Sequence, residues 1–363
     1  MGSNGSMTNS LPPAPRDVVR TLPAYRTSPE LDMPIRFRVS SNEAPFGPSP
    51  AVLDALADAA TRSHRYPAPY GRGLIEAIAA ARGIAPDRIA ADSGSLSLLN
   101  HILLAYVGPG ERVVYAWRSF EAYPISVASV GGVPVEVPNL SSGAHDLDTM
   151  ATEARSGAAV VVLCTPNNPT GAAITQDELR EFLERVPAET LVVLDEAYVD
   201  FVDEHAFDSL PLLDSHANLL VLRTFSKCYA LAGVRAGYCL AHPAVIADIQ
   251  RVMPAFPLSE TAVAAASAAI RDTAHHQRVV DAVLSERRAV TMLLRRLGYP
   301  VLDSQANFVW LPLGDGTAAF AELCARHGVL VRPFAGEGVR ITVGEPGLST
   351  ALAEFLPQYA VAA

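Results

Sequence analysis

Three short runs hold most of the side chains that could do chemistry. They are Thr165-Pro166-Asn167-Asn168-Pro169-Thr170-Gly171, Asp195-Glu196-Ala197-Tyr198, and Arg223-Thr224-Phe225-Ser226-Lys227, with Arg235 eight residues beyond the lysine. Of the 28 lysine and arginine residues, 27 are arginine, and Lys227 is the single lysine. Where a cation need only be charged and solvated, arginine can often take its place. The delocalised guanidinium stays protonated, however, and cannot serve as an ordinary amine nucleophile. Lys227 is therefore the one side-chain amine able to attack a carbonyl carbon. Taken singly, each run has a plainer explanation: an Asn-Pro loop, a helix cap, a solvated lysine. Their placement on the fold decides between the readings.

Helical spacing marks 54–60, 74–81 and 96–106, and apolar strand-like runs lie at 113–117, 133–137, 158–164, 191–194, 219–222 and 236–240. A Thr175-x-x-Glu178 capping box opens a helix over 176–185. Alternating strands and helices predict an α/β fold with a mostly parallel sheet covered on both faces. Ligands of such sheets sit beyond the carboxyl ends of the strands. All three runs directly follow a strand: 158–164, 191–194 and 219–222. From about 259 a long, broken helical stretch runs to 297, and a smaller α/β pattern follows: strand 307–311, helix 317–327, strand 339–343, helix 348–356. The expected division is an N-terminal arm over 1–40, a large domain over 41–254 and a small C-terminal domain over 255–363. MGSNGS at the start reads as an expression remnant ahead of a native start at Met7.

In this order the three runs resemble those of the fold-type I aminotransferases, of class I/II, and the resemblance covers nearly the whole chain. The histidinol-phosphate/aromatic subgroup is matched by Ser41-Asn42-Glu43-x-Pro45-Phe46-Gly47-Pro48, Arg65-Tyr66-Pro67, Ser304-Gln305-Ala306-Asn307-Phe308-Val309 and Val339-Arg340-Ile341-Thr342-Val343-Gly344. Gly94-Ser95-Leu96-Ser97-Leu98 and Trp117-Arg118-Ser119-Phe120-Glu121-x-Tyr123-Pro124 are similar to actinobacterial phenylalanine (aromatic amino acid) aminotransferases. The resemblance implies a seven-stranded, mostly parallel large-domain sheet between helices and a pyridoxal 5′-phosphate cofactor. It makes Lys227 the Schiff-base lysine and proton carrier, and places Asp195 beneath the pyridine nitrogen, with Asn168 and Tyr198 at the cofactor's O3′. Ser93, Gly94, Ser95, Ser226 and Arg235 would hold the phosphate, with Tyr66 reaching it from the second subunit of a homodimer. Tyr123 is the first choice for the ring stacked on the pyridine, and Phe120 the second. Arg340 would pair with the substrate α-carboxylate, and Tyr25 and Arg332 would line the substrate entrance.

The chain departs from the subgroup at two places. Asp92-Ser93-Gly94-Ser95 stands where enzymes acting on histidinol phosphate carry Gly-Asn-Gly-Ser, and Ala44 stands where asparagine is usual. Asp92 should therefore face away from a phosphate. The first change favours an aromatic amino acid as donor, with a 2-oxo acid such as 2-oxoglutarate as acceptor. The alternatives are histidinol phosphate as donor, and a decarboxylase, oxidase or cyclase on the same scaffold. A cofactor-free binding protein would have little reason to keep its only lysine here. A net charge of −10 with no basic block argues against nucleic acid and anionic membranes as partners. Four scattered cysteines without a CxxC pair signal neither a disulfide framework nor a zinc site, which fits the cytoplasm. No GxGxxG follows a strand, which sets aside a dinucleotide-binding fold.

Overall fold

The computed structural model describes residues 13–22, 34–203 and 207–359. Among the described residues, twelve strands follow one another. They are β1 (Phe37–Arg38), β2 (Ile89–Asp92), β3 (Arg112–Trp117), β4 (Val133–Pro138), β5 (Ala158–Cys164), β6 (Leu191–Asp195), β7 (Leu219–Thr224), β8 (Gly237–Ala241), β9 (Phe308–Leu311), β10 (Val329–Leu330), β11 (Arg332–Phe334) and β12 (Gly338–Thr342).

Seven of them form the large sheet, in the order β2-β8-β7-β6-β5-β3-β4. The pairs from β7 through β6, β5 and β3 to β4 are parallel, and only β8 runs against both its neighbours. The central strands β5, β6 and β7 carry unbroken Val/Leu runs because both of their faces are covered. On one face lie the helices Pro50–Ala60, Arg72–Arg82, Leu147–Arg155, Gln176–Arg185 and Glu260–Ala269, and on the other Ser95–Tyr106, Ala122–Val130 and Pro243–Val252. The capping box at Thr175 and Glu178 forms in both directions, fixing the start of Gln176–Arg185. That helix then buries Leu179, Phe182 and Leu183, each worth about 1.5–3 kcal/mol.

A second core lies under the antiparallel sheet β11-β12-β9, packed by Thr273–Arg296, Thr317–Arg326 and Leu348–Phe355. The short strand β1 pairs with β10, and Val39 joins this core, so residues 37–39 run with the small unit, whereas Asp17–Thr21 packs on Ala122–Val130 of the large one. The long helical stretch breaks at 270–272, where Asp272 caps the second helix through the His275 N–H. Glu260–Ala269 packs on Pro50–Ala60 and Arg72–Arg82, and its buried alanines belong to the core of the large sheet. On that packing we propose the domain boundary at this break, rather than near 255.

Candidate active site

β5, β6 and β7 are immediate neighbours, with Cys164 opposite Asp195 and Asp195 opposite Leu222. Their carboxyl ends therefore bring the three chemistry-bearing runs side by side. Between them is a cavity of about 200 Å³, lined by Asn168, Asp195, Tyr198, Ser226, Lys227 and Arg235, with Ser95, Phe120 and Cys164 among the remaining wall groups.

Asp195 ends β6 with its carboxyl buried. Burial pushes the carboxyl up to about 6, against a hydrogen bond from Tyr123 and one from the Ala197 N–H. Lys227 donates from Nζ to the Ser41 carbonyl at 3.3 Å and lies 5.7 Å from the centre of the Tyr198 ring. Desolvation, followed by the charge of Arg340, lowers its pKa to about 8. Tyr198 is packed edge-on against Phe308, and its hydroxyl accepts from Asn42 Nδ2 at 3.0 Å. Burial holds that phenol well above its ordinary pKa, although Arg340 and Asn42 act the other way. On the 165–171 loop, Asn167 is an internal fastener, accepting from Ser119 and donating to Thr170 and the Arg118 carbonyl. Asn168 faces the cavity, and its Oδ1 accepts from Arg340 at 2.6 Å. Arg340 arrives from β12 of the small sheet and also donates to the Ser40 carbonyl at 2.6 Å.

At the other end of the cavity the helix Ser95–Tyr106 presents its N-terminus, with no side-chain cap and no acidic residue in its first turn. Ser226 Oγ accepts from Arg235 Nη1 at 3.3 Å. Gly94 has φ +99°, and a Cβ there would meet Arg235 Nη2 at 2.7 Å, so only glycine lets the loop pass the guanidinium. Backbone N–H groups, a hydroxyl and a fixed cation converge here as an anion cradle.

Some expected residues lie elsewhere. Tyr123 is fully buried behind the wall and donates to Asp195 Oδ2 at 2.7 Å, so it holds the carboxylate and does not stack over a ligand; Phe120 is the ring on the wall. The reason is local: Tyr123 lies in the helix Ala122–Val130, which packs onto the sheet, whereas Phe120 is in the turn before it. Ser93 is turned away, its hydroxyl bonded to the Pro257 carbonyl and its N–H to Asp92. Tyr66 is 83% exposed and stacks on Phe256 at 4.8 Å, outside this chain's cavity. Arg332 pairs with Glu121 at 2.8 Å, and Arg118 forms the reciprocal pair with Glu337, so two ion pairs tie the small sheet to the segment carrying Phe120. Tyr25 lies outside the described residues.

A family model described as "Aminotransferase class I and II" matches residues 35–356. The chain is a class I/II aminotransferase. It is 43% identical over 343 residues to the aromatic amino acid aminotransferase of Rhodococcus jostii (strain RHA1), covering 94% of this chain and 95% of that one. It is also 43% identical over 313 residues to the protein of the same name from Streptomyces avermitilis, covering 86% and 87%. Among solved structures, a histidinol-phosphate aminotransferase from Sinorhizobium meliloti in complex with pyridoxal-5′-phosphate superposes with a TM-score of 0.88 at 30% identity, covering 98% of each chain.

The site of this aminotransferase fits that cofactor on its own geometry. A buried carboxylate raised to about 6 calls for a cationic partner, as a protonated ring nitrogen would be, and the uncapped helix N-terminus beside Arg235 suits a phosphate. Asn42 was not among the expected site residues, yet it is buried, has φ 54° and holds Tyr198. Only its place in the Ser41-Asn42-Glu43 motif signalled it. Behind the lysine, Asp200, Cys228 and His276 bring their ligand atoms within 4.8 Å of one another. His276 and Asp200 are already an ion pair at 3.0 Å. Burial pushes the Asp200 carboxyl up, but His276, Arg223 and Arg82 outweigh it and hold the group below its usual range. Among the described residues no helix is long and apolar enough to cross a membrane, and the four cysteines are buried and unpaired.

Proposed function

We propose that this aminotransferase uses pyridoxal 5′-phosphate to exchange the amino group of an aromatic, phenylalanine-like amino acid with a 2-oxo acid such as 2-oxoglutarate. We place it in the cytoplasm as a homodimer. The observation that carries the reading is the convergence of the only lysine and a buried aspartate on one cavity, with a small-sheet arginine bonded to Asn168 in its wall. The bound cofactor supplies an aldehyde carbon for the amino group and an electron-withdrawing ring. Lys227 is its attachment point, and a pKa near 8 leaves an appreciable share of Nζ as free amine at neutral pH. With the cofactor in place, Nζ would take the proton from the substrate Cα and deliver it to the former aldehyde carbon of the cofactor, the transfer that amino exchange requires. Asp195 would face the ring nitrogen and keep it protonated. The Tyr198 hydroxyl already accepts from Asn42, so its own proton is left for donation to the cofactor's O3′. Arg340 holds the substrate α-carboxylate with a planar fork. Gly94, Ser95, Ser226 and Arg235 would hold the phosphate and Phe120 would cover the ring, while Arg332, through Glu121, fixes the segment that carries Phe120. Tyr66 stands exposed, as a residue serving a partner's site must.

The aromatic donor is supported by the names of the relatives at 43% identity. An absorbance titration of the loaded protein with an amino-acid panel including histidinol phosphate tests it. Aromatic amino acids should exhaust the cofactor band once and stop unless a 2-oxo acid is added. Continued turnover without an acceptor would point to a decarboxylase or oxidase, and preference for histidinol phosphate would replace the donor.

A further inference from the structure

Asp92 is an acidic residue two positions before the Gly94 of the anion cradle, where a carboxylate should repel a phosphate. It ends β2, is 1% exposed, and accepts hydrogen bonds from three points. Oδ1 takes the Ser93 N–H at 2.6 Å, and Oδ2 takes the Ser97 hydroxyl and pairs with His101 Nδ1, both at 2.8 Å. Its carbonyl accepts the Gly94 N–H at 2.6 Å. Ser97 and His101 are four residues apart, so they stand on one face of the helix Ser95–Tyr106, on its first and second turns. The carboxylate thus ties the loop and two turns of the helix whose N-terminus forms the cradle. On the opposite strand, a Cβ at Gly237 would meet Ser95 N at 2.5 Å, so the same loop is pressed against β8 and has no room to drift on that side.

We propose that Asp92, Ser97 and His101 form a brace that positions the phosphate cradle, with Ser97 and His101 supplying the donors that make a carboxylate tolerable beneath an anion. All three are positioning residues; none touches the ligand. The inference rests on the proposed cofactor. Removing a donor loosens the helix start and also leaves the buried charge under-compensated, so both consequences weaken phosphate retention. Removing the charge as well relieves the second, since an asparagine at 92 still accepts from the Ser93 N–H through Oδ1 and its Nδ2 can donate to the Ser97 hydroxyl.

The test compares loss of pyridoxal phosphate, and separately of pyridoxal, from reconstituted holoenzyme on dilution into a cofactor trap. His101→Phe should release pyridoxal phosphate about tenfold faster, the loss of one charge-assisted hydrogen bond, while release of pyridoxal, which lacks the phosphate, stays unchanged. Asp92→Asn added to His101→Phe should recover most of the retention. Ser97→Ala, a milder change in the same brace, should show a smaller effect of the same selectivity, and it serves if His101→Phe folds poorly. Equal acceleration for both ligands, or a double variant no better than His101→Phe, overturns the brace. A wild-type protein that takes up no pyridoxal phosphate at all sinks the proposed function instead, and the brace with it.

Discussion

The Tyr123 hydroxyl is the hydrogen bond on which the ionisation of Asp195 depends most, and its removal in Tyr123→Phe has a calculable effect. The bond is 2.7 Å long, to a carboxylate that burial raises to about 6 even with the bond in place. Deleting a charge-assisted hydrogen bond costs about 1.5–3 kcal/mol, or about one to two pKa units. Since the bond favours the ionised form, its loss moves Asp195 further up, to about 7–8. If cofactor uptake requires the carboxylate, the apparent Kd is multiplied by one plus the ratio of protonated to ionised Asp195. At pH 6.5 that factor is about 1.3 for the wild type and about 4–30 for the variant, so the variant binds about 3- to 25-fold more weakly. By pH 9 the same arithmetic brings the two within about 10%. Titration of the cofactor-stripped protein with pyridoxal phosphate, followed by absorbance from pH 6 to pH 9, reads this ratio directly. Ionisations of the cofactor and of Lys227 occur in both proteins and largely cancel. A ratio that stays constant across the range would refute the role assigned to Tyr123.

Lys227→Arg keeps a positive charge but removes the amine, so borohydride treatment followed by peptide mapping should fix cofactor to the wild type at residue 227 and to no residue of the variant. Arg340→Lys loses one arm of the fork, and kcat/KM should fall by about 10- to 150-fold for every amino donor, the equivalent of about 1.5–3 kcal/mol. An effect confined to one donor would instead place Arg340 at the side chain. Thr175→Ala removes the capping box far from the cavity, and a urea midpoint corresponding to about 1 kcal/mol of lost stability is expected with kcat unchanged.

Most of the architecture was readable because β3 to β9 and β12 are apolar and mostly separated by helices, whereas β1, β2, β10 and β11, two to four residues each, are too short to show a pattern in the sequence. The site followed because its residues cluster where β5, β6 and β7 end, and strand ends can be located in a sequence. The orientation of a side chain near a helix start could not be read in that way. Phe120 and Tyr123 are three residues apart, both aromatic and both plausible stacking rings, and only the packing of Ala122–Val130 on the sheet turns one inward to Asp195 and leaves the other on the wall. Ser93 was equally ambiguous, since its hydroxyl is claimed by a carbonyl at Pro257, 164 residues away. Asp92 could be expected to point away from the cradle on charge alone, and it does, but the donors that receive it became visible only with the helix in place.

Because the single lysine stands at the wall of the cavity, the protein carries a built-in spectroscopic reporter. Growth on lysine labelled with ¹⁵N at Nζ would place the isotope at one side chain only, and its chemical shift would follow protonation, cofactor attachment and substrate displacement without interference from surface amines. The same scarcity means that amine-directed tags and crosslinkers would find, apart from the chain terminus, only the reactive centre. Such reagents would act as inactivators, and loading with cofactor should shield the protein from them.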